Sequence, residues 1–259
     1  MVDIGVACEF AEDLARRAGN EILMRHRRSM VEFTWDERTH AKTVADDESD
    51  VFIREQIGLS FPDDGIVSEE TREKVMPSSR RWVVDPLDGT VVFASGSSNY
   101  FAVCIGICEG VTPMAGVIYA PERGELYRAV WGGGTTMNGA PIAAAPPGNL
   151  DHAFVALEYG KPPGRIRAAG IIERLLVRGV GTIFTANCAS VSLALTASGV
   201  YHAFVAPFLE PWDMAAAAPI CRGAGLAVTT LEGKKWELGD ASIVAAHPAH
   251  HEQFLARIQ

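Results

Sequence analysis

Apolar side chains at Val6, Phe10, Leu14, Ala18, Ile22 and Met24 fall on one helical face, which predicts an amphipathic helix over residues 5–28. Val51, Phe52, Ile53 and Ile57 repeat that pattern behind the acidic run Asp46-Asp47-Glu48 and predict a second helix over 46–59. PDDGIVSEE then reads as a turn, a short strand at 65–67 and an acidic end. Between 101 and 139, short apolar runs separated by EG, PERG and GGG predict an antiparallel meander. The triple glycine at 132–134 lacks the Gly-Lys-Ser/Thr that would complete a phosphate loop, so a hairpin turn is the better reading.

AAAPPGNL, at 143–150, is the best candidate for a boundary. It divides the chain into an expected N-terminal α+β lobe, residues 1–145, and an expected C-terminal α/β lobe, residues 146–259. In the second part HAFVALEY predicts a strand, residues 165–178 a helix beyond KPPG, and SVSLALTASG a short helix ended by Gly199. YHAFVA, LAVTT and ASIVAA predict strands, and WDMAAAAPICRGAG one helix. Helices and strands in this order imply a mixed, layered architecture.

Composition narrows the function classes. Of 259 residues, 48% are apolar, which suffices for a sizeable interior. No uncharged apolar run is long enough to span a membrane, and the acidic start lacks the basic region of a signal peptide. The formal charge of −9 argues against nucleic acid as a partner. Five cysteines (Cys8, Cys104, Cys108, Cys188, Cys221) are scattered, form no CxxC pair and suit a reducing cytoplasm. Cys104 and Cys108 sit on an apolar run as core thiols. Cys188, at a helix start, occupies a position that lowers a thiol pKa, but no nucleophile signature accompanies it.

The chemistry lies in the acids. WVVDPLDGT runs a strand into Asp85 and Asp88, and further acids follow a strand or open a helix at Asp46-Asp47-Glu48, Glu69-Glu70 and Asp213. Like charges held together are costly unless a cation balances them. Oxygen donors favour magnesium, calcium or manganese over zinc. Pro86 stiffens a turn in which Asp85, the Leu87 carbonyl and Asp88 can converge. Gly89 and Thr90 follow with backbone N–H groups suited to a phosphate oxygen. The implied reaction is phosphoryl transfer to water. An isolated DxxDG would instead read as a cap, with Asp88 as N-cap and Asp85 solvated.

WVVDPLDGT, the upstream SEE and the downstream EPWDMAA, with TVADDESD and the meander, resemble the inositol monophosphatase family of magnesium-dependent, lithium-sensitive phosphatases across nearly the whole chain. The resemblance implies a layered αβαβα sandwich, a homodimer, two or three Mg2+ ions (Mn2+ as a substitute) and a small phosphorylated metabolite as substrate. It implies Glu69, Asp85 and the Leu87 carbonyl around one ion, and Asp85, Asp88 and Asp213 around a second. Thr90, backed by Glu69 and Asp46, would orient the attacking water. Gly89 and Thr90 amides would hold the phosphate, and Asp213 and Ala189 would face the substrate. The segment 187–189 is expected either to offer backbone N–H groups to a sugar or amino-alcohol hydroxyl or to serve packing alone.

Departures from the family pattern bear on the substrate. Ser68 replaces a glycine, His40-Ala41-Lys42-Thr43 replaces Asp-Leu-Val-Thr, and Trp35 stands where a lysine is common. Ala206 occupies the place of the glutamate found in inositol-specific members, with Glu210 as a possible substitute three residues before Asp213. Histidinol phosphate or a sugar phosphate is therefore expected before inositol monophosphate. The rival reading is a non-catalytic protein of this fold that senses metal or phosphate. Among the remaining residues, Trp212 is expected in the core beside Asp213, and Asp47 and Glu48 solvated. Glu70 is expected to reach the site only through water, and His247, His250 and His251 to lie on the surface.

Overall fold

The computed structural model describes residues 3–27, 34–35, 41–71, 78–145 and 148–259. The chain begins with α1 (Ile4–Arg17), a π-helical turn (Ala18–Leu23) and α2 (Met24–Arg27), followed by β1 (Thr34–Trp35), β2 (Ala41–Lys42) and α3 (Val44–Ser60). Next come β3 (Gly65–Ser68), β4 (Arg80–Asp88), α4 (Thr90–Ser95), β5 (Ala102–Glu109), β6 (Thr112–Ala120), β7 (Glu125–Val130), β8 (Thr135–Met137) and β9 (Ala140–Ile142). Strands β3 to β9 form a seven-stranded sheet in chain order, parallel only at β3/β4. The meander is present, and residues 132–134 turn between the antiparallel strands β7 and β8.

The second part contains β10 (Phe154–Leu157), α5 (Pro162–Arg178), β11 (Thr182–Phe184), α6 (Ala189–Ala197), β12 (Ala203–Ala206), α7 (Pro211–Ala215), α8 (Ala217–Gly223), β13 (Ala227–Thr229), β14 (Ile243–Ala246) and α9 (Pro248–Ile258). Its five-stranded sheet runs β11-β10-β12-β14-β13. Helices α1 and α3 bury Leu14, Ile53 and Ile57 against one face of the larger sheet. Helices α6, α7 and α8 fill the space between the sheets with Val191, Leu193, Met214 and Ile220. Helices α5 and α9 cover the outer face of the smaller sheet through Ile171, Leu175 and Phe254. The result is the αβαβα layering, each layer burying the apolar face of the next.

The middle layer sits very close to the larger sheet. A Cβ on Gly116 would lie 2.0 Å from the Ala216 carbonyl oxygen, and one on Gly106 2.8 Å from Ala215. Only glycine admits this approach, which sets α7, and with it Asp213, against the ends of β4 and β5.

Several expectations need correction. Val6 and Val51 are exposed, because α1 seats the small residues Ala7, Ala11 and Ala15 on the sheet and α3 buries Ile53 and Ile57 instead. The helix expected past KPPG starts at Pro162, whose missing N–H costs nothing in a first turn. The single helix expected at 212–225 is two, α7 and α8. Pro219, which has no N–H for the Ala215 carbonyl, lies just past the break. His251 is buried and bonds Thr229 Oγ1 at 2.9 Å. His40, Arg28 and the Pro146-Pro147 part of the candidate boundary lie outside the described residues.

Candidate active site

Asp85 and Asp88 are three residues apart, so a regular strand would send their side chains to opposite faces. The register explains how they meet. Asp85 pairs with Cys104 and Asp88 with Ala102, so three steps along β4 match two along β5. This bulge sits at Pro86-Leu87, where proline supplies no ladder N–H. The Leu87 N–H turns back to Asp85 Oδ1 at 3.0 Å, and Ser49 Oγ donates to the Pro86 carbonyl at 3.0 Å.

Asp213 joins them from α7, where its Oδ2 accepts the Glu210 N–H at 2.9 Å in a capping box. One oxygen each from Asp85, Asp88 and Asp213 lies within 4.8 Å of the others. Glu69, just past the end of β3, borders the same cleft, its N–H bonded to the Val84 carbonyl. Burial and the mutual repulsion of Glu69, Asp88 and Asp213 push Asp85 well above the carboxylate range. Burial, then Asp88, raises Asp213 to about 7, and burial with Asp213 raises Glu69. These acids thus resist ionising together unless positive charge arrives.

Asp46 stands behind this trio. Its Oδ2 accepts the Thr43 N–H at 2.7 Å and the Thr43 hydroxyl at 2.6 Å, fixing the start of α3. Its Oδ1 faces Thr90 Oγ1 at 3.0 Å, and the Leu87 carbonyl lies 3.0 Å from the same hydroxyl. Burial raises Asp46 to about 6. Gly89 has φ +86°, and a Cβ there would lie 2.5 Å from the Tyr100 carbonyl oxygen, so the turn into α4 requires glycine. It is Gly89, not Asp88, that caps α4. Asp88 instead accepts the Ser190 N–H at 2.7 Å and the Cys188 thiol at 3.2 Å, tying β4 to the start of α6.

Glu69, Asp88, Gly89, Thr90, Ala189 and Asp213 line one cleft of about 310 Å³. Asp85, Asp46 and the Leu87 carbonyl lie in its buried floor. Other expectations fare differently. Cys188 has its thiol pKa raised well above the ordinary value, by burial first and Asp88 second, opposite to the lowering expected of a helix start. Trp212 is half-buried rather than in the core, and its Nε1 has no hydrogen-bond partner among the described residues. The Ala186 and Asn187 N–H groups are already donated to Glu158, at 3.0 and 3.2 Å. Asp47 and Glu70 share Lys42 as counter-ion, and Glu48 pairs with Arg25 and His26. Ser68 donates to Asp50 Oδ1 at 2.5 Å, which links β3 to α3 and accounts for serine there.

Two residues of the site carry no local sequence signal. Glu158, at the end of β10, is buried, lines the cleft and is raised to about 7 chiefly by burial. Lys161 reaches the cleft from the KPPG turn, and its charge offsets a small part of the rise that burial imposes on Glu69 and Asp213. The acids are therefore not free of basic neighbours, as the sequence around them suggests. A glutamate ending a strand and a lysine beside prolines both read as solvated.

Comparison with known proteins adds a family. The model of the inositol monophosphatase family matches residues 6–259. A histidinol-phosphatase of Chlorobaculum parvum is 33% identical, over 96% of this chain and 95% of its own length. A fructose-1,6-bisphosphatase/inositol-1-monophosphatase of Aquifex aeolicus is 31% identical, over 93% and 91%. The crystal structure of the extragenic suppressor protein suhB from Bartonella henselae superposes with a TM-score of 0.91 at 27% identity, covering 98% of each chain.

Proposed function

The chain belongs to the inositol monophosphatase family, and we propose on that footing that it is a magnesium-dependent phosphomonoesterase acting on a small polar metabolite. The observation that carries this reading is the meeting of Asp85, Asp88 and Asp213 within 4.8 Å, beside the Thr90–Asp46 pair. The donor set fits hard divalent cations, being all oxygen, largely buried and short of positive charge. Glu69, Asp85 and the Leu87 carbonyl would hold one ion, and Asp85, Asp88 and Asp213 another. When bound, Mg2+ or Mn2+ supplies neutralisation of the phosphate, activation of water and stabilisation of the leaving oxygen.

The protein's own groups then have distinct duties. Thr90 has one hydroxyl proton, committed to Asp46 Oδ1 or the Leu87 carbonyl, so its remaining lone pairs accept. An acceptor at that place orients a water for attack, and Asp46, with Glu69, can take up the proton released. The Gly89 and Thr90 amides face the phosphate. Ala189 and Asp213 border the alcohol part of the substrate. Ala206 is fully buried in β12, and Glu210 is engaged by Lys161 at 3.3 Å, so neither offers a free carboxylate to an inositol ring. Histidinol phosphate or a sugar phosphate fits this reading better than inositol monophosphate, and the name of the Chlorobaculum relative supports the former.

The same proposal places the protein in the cytoplasm as a homodimer, with lobes at 1–145 and 146–259. It has no nucleic-acid or membrane partner, and no described helix is long and apolar enough to cross a membrane. Phosphate release from a panel of monoesters, with and without magnesium, tests the reading. Release that depends on magnesium supports it. No turnover of any ester would favour a metal- and phosphate-binding protein without catalysis.

A further inference from the structure

Three consecutive side chains of α2, Arg25, His26 and Arg27, read in sequence as the solvated basic end of a helix. The structure gives them partners on two other helices. Arg27 leaves only 13% of its side chain exposed. Its Nη1 donates to the carbonyls of Phe93 and Val92, the latter at 3.5 Å, and its Nη2 to the Ser98 carbonyl at 2.8 Å. Its Nε donates to Glu122 Oε2 at 3.1 Å, in the turn between β6 and β7. The guanidinium carbon lies 5.3 Å from the centre of the Phe101 ring and 5.8 Å from that of Phe93. Arg25 and His26 reach the other way, to the two carboxylate oxygens of Glu48 in α3, at 2.5 and 2.6 Å.

Both gripped helices carry the water-orienting pair in their first turns. Thr90 opens α4, and Asp46 lies two residues before Glu48 in α3. Helix α4 has little of its own to fix its place. It has six residues, well short of the length at which a helix holds itself together in water. No side chain caps its start, and only Val92 and Phe93 are buried. The last carbonyls of a helix lack intrahelical partners, and a cation at that end suits the helix dipole. Arg27 meets both needs. The Phe93 carbonyl that it holds belongs to the same helical turn as Thr90, three residues on. Thr90 is β-branched, so its hydroxyl follows the backbone of that turn.

We infer that Arg27 is a positioning residue for the hydrolysis proposed above: by holding the far end of α4 it keeps the Thr90 hydroxyl aimed at Asp46 Oδ1. The inference rests on the phosphatase reading. Arg27 is no part of the cleft wall, so it acts through Thr90 rather than on substrate.

The test is a double-mutant cycle on the full chain with saturating magnesium. Its substrate is whichever of histidinol phosphate and glycerol 2-phosphate the wild type hydrolyses faster. Arg27→Met keeps an apolar stem against Phe93 and Phe101 and removes every donor. It should lower kcat about 10- to 100-fold, the scale of a small misplacement at a reacting centre, and leave KM within about twofold. In a Thr90→Val background the same change should move kcat by less than about twofold, because no hydroxyl is left to aim. Arg27→Lys keeps a cation and part of the donor set and should recover much of the rate. Where Arg27→Met melts too low to assay, the cycle with Arg27→Lys makes the same comparison on a smaller loss. A merely structural arginine would give the same fractional loss in both backgrounds. That result would overturn the inference, as would an unchanged kcat or a loss confined to KM, and each leaves the phosphatase reading standing. Turnover of neither ester by the wild type would overturn both.

Discussion

Thr90 directs its hydroxyl at Asp46 Oδ1 from 3.0 Å, across 44 residues of chain. Asp46 is also the residue that closes the α3 capping box with Thr43, so its direction is set independently of Thr90. Replacing Thr90 by valine keeps the shape and removes the hydroxyl. The expected outcome is a loss of about 10²–10³ in kcat, the scale for removing one oriented polar group from a reacting centre. KM and the melting temperature should move little, and Thr90→Ser should recover most of the rate. Near-normal turnover in Thr90→Val would remove the pair from the mechanism.

Metal removal should make stability depend on pH in a defined direction. Asp213 is raised to about 7 and Asp46 to about 6, both by burial first. A carboxyl raised in the folded state binds more protons there than in the unfolded chain. Stability therefore falls as pH rises from the ordinary carboxylate range through about 7. In chelator the melting temperature should be higher at pH 5.5 than at pH 8. Saturating magnesium should raise it most at pH 8, because the cation replaces the protons. A melting temperature in chelator that rises with pH over this interval would contradict the crowding of these acids.

Asp88→Asn separates charge from structure. Asp88 Oδ2 accepts the Ser190 N–H and the Cys188 thiol, and an asparagine carbonyl oxygen can accept both in the same place. The fold should persist, with a melting temperature in chelator equal to or above that of the wild type, since one repelling charge is gone. Turnover should fall by orders of magnitude at any magnesium concentration. Steady-state kinetics beside a thermal melt reads both effects, and activity near the wild-type level would show that Asp88 is not a ligand.

How much of this was legible depends on whether the cause was local. Asp85, Asp88, Gly89 and Thr90 adjoin in sequence, and Pro86 advertises the turn between them, so the floor of the cleft could be read directly. The bulge that brings both aspartates to one side could not, because it exists only as a mismatch against β5. Val6 and Val51 misled because periodicity weighs size, whereas the sheet accepted alanines at close approach. The short strand β11 lacks the length that makes a pattern, and its pairing with β10 comes from the chain crossing over through α5. Glu158 is the sharpest case. Nothing near it in sequence marks it as buried; its partners are 28 and more residues away.

That carboxylate yields the last prediction. Glu158 Oε1 accepts the Ala186 N–H at 3.0 Å and the Ser192 hydroxyl at 3.2 Å, while Oε2 accepts the Asn187 N–H at 3.2 Å. Asn187 is held at φ +55°, a left-handed conformation that L-residues adopt at a cost. Three donors thus converge on one side chain and pin the strained turn that leads into α6. Glutamine presents one acceptor oxygen and an NH2 group, so at least one backbone N–H must face another donor. Ala186 is half-buried and Asn187 exposed, so the unsatisfied donor costs less than the range of about 1–3 kcal/mol for a fully buried one. Glu158→Gln should therefore lower the urea midpoint at pH 7.5 by a correspondingly small step. Because the turn walls the cleft beside Ala189, KM should rise more than kcat falls. Unchanged stability with unchanged KM would mean that the turn holds its shape without the carboxylate.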